Sequence, residues 1–289
     1  MVEQRILRAL WGLSILVLAV VLITATFFRE SLFDINLSTG SVIFLSLAVM
    51  AFFAEYVDSS IGMGYGTTLT PILLIIGYEP LDIVPAILLS EFLSGTTAGF
   101  LHHRLGNVDF KKGSQSRKIA IVLTSWAVVG TIIAVFLAIN LPKQIIKLYI
   151  GLMIFAMGLI MLVNGSRQSN FSWRRISLIG GMAAFNKGIS GGGFGPLVTG
   201  GQIISGVSEK KAVGITSLVE GLVCLVGLIL YLATRGGLNM MLAGALITGA
   251  IISTPVATRT VKVLPDRIIR RAVGYATVAL GMLTLFKLM

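Results

Sequence analysis

Apolar residues run in long blocks along this chain, separated by short stretches rich in Lys, Arg, Gly and Pro. A membrane-crossing helix needs about 20 predominantly apolar residues. Seven segments meet that length: 7–28, 83–103, 119–140, 144–164, 212–233, 239–258 and 268–287. Two further stretches, 41–76 and 177–206, are too long for one crossing, and glycines interrupt each, as SSIGMGYGTT at 59–68 and GISGGGFGP at 188–196. The pattern predicts two broken, re-entrant-like hairpins. Residues 41–58 enter to about the bilayer centre and 67–76 return, while the second hairpin returns through 197–205 from the opposite face. Thr67 is the expected N-cap of the first returning half-helix, and Pro196 fits the first turn of the second. The 7–28 segment reads as a retained helix, since its apolar run exceeds a signal-peptide h-region and no small-x-small cleavage site follows it.

Composition agrees. The chain is 55% apolar and 12% charged, against about 25% charged in soluble domains. A net charge of +11 suggests nucleic acid or membrane, and the position of the bases decides for membrane. Alternating crossings place seventeen Lys and Arg on one side, among them Arg104, Lys111, Lys112, Arg117, Lys118, Arg174, Arg175, Lys210 and Lys211, and only Arg29, Lys143, Lys147, Arg235 and Lys287 on the other. Cytoplasmic loops carry the Lys/Arg excess, so the amino terminus is expected inside and the carboxyl terminus outside. One Cys and two adjacent His leave no disulfide framework and no spacing for a metal site. His102 and His103 are expected as interfacial anchors, Cys224 as a small packing residue. No nucleotide loop or cofactor motif is present, and an enzyme is not expected.

The two interrupted stretches align without a gap at an offset of 129 residues. Gly62, Gly64 and Gly66 fall on Gly191, Gly193 and Gly195, Thr70 on Thr199, Gly77 on Gly206 and Glu91 on Glu220. A second block, 141–158 against 264–281, agrees at an offset of 123. The charge map sets equivalent loops on opposite faces, so the halves are expected as inverted repeats. The organisation read from this is an all-α polytopic membrane protein with about seven crossings and two hairpins meeting near the midplane. Residues 1–40 form a first helix and connector, 41–165 one repeat and 166–289 the other, together one membrane domain. Inverted repeats on broken helices are a common plan of secondary transporters, with the substrate held near the midplane.

The glycine breaks have two readings. They free backbone N–H groups and half-helix starts for an anion, or they let helices pack closely. Charges inside the bilayer point to function by default, and five remain there: Glu55, Asp58, Glu91, Lys187 and Glu220. Glu91 and Glu220, about ten residues into their helices, either carry a coupling proton or cation or brace neighbouring helices. Lys187 occupies the position equivalent to Asp58. It either faces an anion or forms a brace, with Asp58 as the expected partner, and Glu55 and Asp58 are otherwise expected nearer water. The candidate anion ligands are Ser59, Ser60, Gly62, Gly64, Gly66, Thr67, Asn186, Lys187, Ser190, Gly191, Gly192, Gly193 and Gly195. The candidate coupling or gating groups are Glu91, Glu220 and Asp58.

SSIGMGYGTTLTPILLIIG at 59–77 and KGISGGGFGPLVTGGQIISG at 187–206, each followed by a turn and a helix bearing an acid, resemble the TauE/SafE family of sulfite exporters, also called toluene sulfonate uptake permeases. The resemblance spans roughly 41–289. It implies a bacterial cytoplasmic-membrane transporter of sulfite, sulfonates or related organosulfur anions; no cofactor is expected, and the intramembrane Glu91 and Glu220 give protons, or alternatively Na+, as the expected coupling partner. An anion channel on the same scaffold is the second reading. Met63 in place of Gly192, and Pro71 without an equivalent, make the two half-sites unequal.

Overall fold

The computed structural model describes residues 37–163, 171–261, 275 and 277–286. The predicted helix at 7–28 and part of the 268–287 segment lie outside the described residues. In chain order the elements are α1 (Leu37–Ile61), α2 (Tyr65–Ile75), α3 (Pro80–Arg104), α4 (Gln115–Asn140), α5 (Lys143–Val163), α6 (Trp173–Ser190), α7 (Phe194–Ile204), α8 (Glu209–Arg235) and α9 (Met240–Thr260). A short apolar helix, α10, follows at Thr277–Phe286. No strand occurs among the described residues.

Local chemistry sets several of these boundaries. Ser114 accepts from the Arg117 N–H to open α4, and Asn239 accepts from the Leu242 N–H at 3.0 Å to open α9. Pro80 starts α3, where a missing N–H is tolerated. Acids begin and bases end α3 and α8: Asp82 against Arg104, Glu209 against Arg235. That order suits the helix dipole.

Among the described residues six helices are long and apolar enough to cross a membrane. Five coincide with predicted spans. The sixth is α1, expected as a half-crossing arm. At 25 residues it is ~37 Å long, so the first hairpin has one full-length arm and one 11-residue arm, α2. The apolar run simply continues through the predicted stopping point, and the helix ends only where glycine allows a turn. The large apolar side chains of α4, Trp126, Val129, Ile133 and Phe136, remain exposed, as suits a lipid-facing surface.

Packing pairs helices reciprocally. α1 lies along α9, α6 along α4, and α3 along α8. Under the 129-residue offset α1 corresponds to α6, so each hairpin's long arm leans on a helix from the other half. α3 and α8 approach through small residues: a Cβ on Gly95 would stand 2.9 Å from the Ser217 carbonyl, and one on Gly221 2.6 Å from the Thr96 N.

Candidate functional site

The two breaks cross each other at the centre of the helix assembly, and their glycines divide into two kinds. Gly62 and Gly64 have φ of 73° and 139°, and their equivalents Gly191 and Gly193 have 72° and 80°. These turns need the left-handed region that glycine alone enters readily. Gly66, Gly192 and Gly195 instead allow approach. A Cβ on Gly66 would overlap the Gly191 carbonyl, one on Gly192 would sit 2.8 Å from the Gly66 carbonyl carbon, and one on Gly195 2.7 Å from Met63 Cα. The breaks are therefore in backbone contact, and in this conformation the packing role of these three glycines occupies the space between the hairpins.

Two threonines fasten the crossing. Thr199 Oγ1 donates to the Gly62 carbonyl at 2.7 Å, and Thr70 Oγ1 donates to the Ser190 carbonyl at 2.9 Å. They are equivalent residues, each tying its own short helix to the opposite break.

α2 begins at Tyr65, two residues before the expected start, because Gly64 takes the N-cap position. Thr67 thus lies in the first turn, and its hydroxyl is buried without a hydrogen-bond partner. The buried start of α2 faces a carboxyl: the Tyr65 N–H donates to Asp58 Oδ1 at 3.4 Å. At α7 the Gly192 N–H donates to Ser190 Oγ at 3.0 Å. Asn186 accepts from Tyr149 and borders a groove of about 330 Å³ between α4 and α6. Ser60 bonds back to the Tyr56 carbonyl within α1.

Beside the crossing all five intramembrane charges converge. Lys187 pairs with Glu91 and with Glu220 at 2.8 Å, not with the expected Asp58. The reason is topological: the close α3–α8 approach delivers two carboxyls to one point, and Lys187 at the end of α6 reaches both. Asp58, Glu91 and Glu220 each present an oxygen within 4.8 Å of the others. Glu55 accepts from Ser59 Oγ at 2.5 Å and from Ser94 Oγ at 2.9 Å. Glu55 and Asp58 are 1% and 7% exposed, which corrects the expectation that they sit nearer water. Cys224 is buried as expected, but its thiol faces Glu91 Oε2 at 3.6 Å.

Sequence reasoning placed His102 at an interface, whereas it is fully buried and bonds the Ser59 carbonyl through Nε2 at 3.1 Å. Its helix runs on past the apolar core, so the last turn tucks under the first break. Tyr65, whose hydroxyl meets Ser90 Oγ at 2.6 Å, was also missed, since a tyrosine among apolar residues gives no sign of a partner. Glu55 and Ser94 were missed as a pair, because their contact spans two helices.

A family model described as Sulfite exporter TauE/SafE matches residues 47–284, from within α1 to α10 and so across both breaks. The Probable membrane transporter protein YtnM of Bacillus subtilis (strain 168) is 24% identical over 239 residues, covering 78% of this chain and 77% of its own. With six helices of spanning length among the described residues and a match over most of its sequence, this multi-pass membrane protein belongs to the sulfite exporter TauE/SafE family.

Proposed function

We propose that this membrane transport protein is a secondary transporter of a small sulfur-containing anion, sulfite or a sulfonate, working by alternating access about the crossed breaks with proton coupling. The observation that carries the reading is the shared lysine. Lys187 is the one cation among four buried carboxyls, and Glu91 and Glu220 occupy it. Holding more negative than positive charge at this depth is costly, so the cluster favours taking up positive charge. A proton arriving on Glu91 or Glu220 frees Lys187 for an anion, and the anion in turn replaces the lost carboxylate charge. Proton and anion then bind together, which resolves how an acid-rich cluster accepts an anion. The inverted arrangement of the halves, with the amino terminus inside, gives the two faces their alternation. Ser59, Asn186, Ser190 and the glycine amides complete the site once the breaks separate.

Flux into proteoliposomes of sulfite, sulfoacetate and thiosulfate tests this. Saturable counterflow of at least one anion, accelerated by an inward proton gradient, is expected. Glu220→Gln should keep counterflow and lose the gradient response. Linear, non-saturating flux would mean a channel, and absence of flux for every sulfur anion would sink the substrate assignment.

A further inference from the structure

The bond from His102 to the first break has a counterpart. Adding 129 to Ser59 and His102 gives Gly188 and Tyr231, and the Tyr231 hydroxyl donates to the Gly188 carbonyl at 2.8 Å. The two pairs share a local logic. Ser59 and Gly188 each lie three residues before the first left-handed glycine of their break. Their carbonyls belong to the last turns of α1 and α6, where the partner four residues on lies beyond the helix end. At the second break the Gly192 N–H has turned away to Ser190. Each orphan carbonyl is then satisfied by a buried ring from the opposing long helix, His102 being 0% and Tyr231 1% exposed.

The rings are also in register with the charge cluster. His102 lies eleven residues after Glu91, and Tyr231 eleven after Glu220. Eleven residues are about three turns, so acid and ring share a helix face ~16 Å apart. At the first site the tautomer follows from the network. Asn107 Nδ2 donates to His102 Nδ1 at 3.0 Å and stands 3.2 Å from the Thr258 carbonyl of α9, which leaves Nε2–H to donate to Ser59. His102 adjoins the basic loop after Arg104 and Tyr231 adjoins Arg235, so charge places the two rings towards opposite faces.

We infer that His102 and Tyr231 are positioning residues that latch the two hairpin breaks from opposite faces, His102 closing the cytoplasmic approach and Tyr231 the outer one. This rests on alternating access as proposed above. A break can swing away from its α3 or α8 partner only after that carbonyl is released. Because the latch and the acid are on one rigid face, a shift of the helix at Glu91 or Glu220 is carried to the latch.

Sided thiol labelling tests this without any substrate. In a Cys224→Ser background, Ala98→Cys, one turn before His102, and Leu228→Cys, three residues before Tyr231, report the two approaches; both native positions are buried. An impermeant maleimide is applied to vesicles of each orientation. His102→Phe should raise labelling at 98 from the cytoplasmic side by about threefold to tenfold, the scale of one lost hydrogen bond, and leave 228 unchanged. Tyr231→Phe should do the reverse, and His102→Gln, which keeps a donor, should restore the low labelling. Unchanged labelling in both variants, or both sites opening to both sides in either variant, overturns the latch. Sided labelling alongside failed sulfur-anion flux leaves the latch standing and removes only the substrate.

Discussion

The two hairpins share a backbone and differ in chemistry. Gly62 and Gly191 adopt the same left-handed turn, Gly64 and Gly193 both take positive φ, and Gly66 and Gly195 make equivalent close approaches. On that common frame the first hairpin carries Glu55 and Asp58, while the second carries Lys187 and no acid. Conformation admits only glycine at those turns, so substitution there is blocked in both halves. Side chains flanking the turns are free to diverge, and the difference between the halves is where buried charge is concentrated.

The comparison breaks most severely at Lys187. Lys187→Met leaves four buried carboxyls with no base, and loss of one partner of a buried pair costs about 3–5 kcal/mol. A fall in the detergent melting temperature large enough to abolish purification is expected, with partial rescue by adding Glu220→Gln. Next come the close-approach glycines. Gly66→Ala and Gly195→Ala should each cost about 3 kcal/mol by overpacking. Similar losses in thermal melts would support equivalent backbones; a large loss in one variant alone would refute it.

The threonine fasteners come third. Thr199→Val removes bonds to the Gly62 carbonyl and to Thr216, Thr70→Val one bond to Ser190. About 1 kcal/mol is expected for each, with Thr199 the larger. The smallest effect belongs to an exposed difference. Glu79 stands at the N-cap position of α3 without a side-chain capping bond and pairs with Lys147 at 3.2 Å and Lys143 at 3.7 Å, and its equivalent is Ser208. Glu79→Gln should change stability by less than ~0.5 kcal/mol, which makes divergence at the surface inconsequential beside divergence at the crossing.

Much of this was readable before any coordinates. Five crossings followed from unbroken apolar blocks, because a bilayer sets helix length directly. The breaks followed from glycine clusters in runs too long for one crossing. The length of α1 did not, since hydropathy marks where a segment is apolar but not how deep it sits. The partners of Lys187 were hidden as well: they depend on how α3 crosses α8, which the sequence encodes only through scattered small residues such as Gly95 and Gly221. His102 and Tyr231 are different residue types, so sequence identity between the repeats does not reveal them; their shared property is a hydrogen-bond donor on a ring.

The exchange of Asp58 for Lys187 makes the two stretches dependent on each other. If each half were a separate chain pairing with a copy of itself, the first would gather Glu55, Asp58 and Glu91 twice over with no base. The second would gather two copies of Lys187 with two of Glu220, in balance. Covalent linkage in one chain guarantees that the acid-rich stretch always meets the one carrying the lysine.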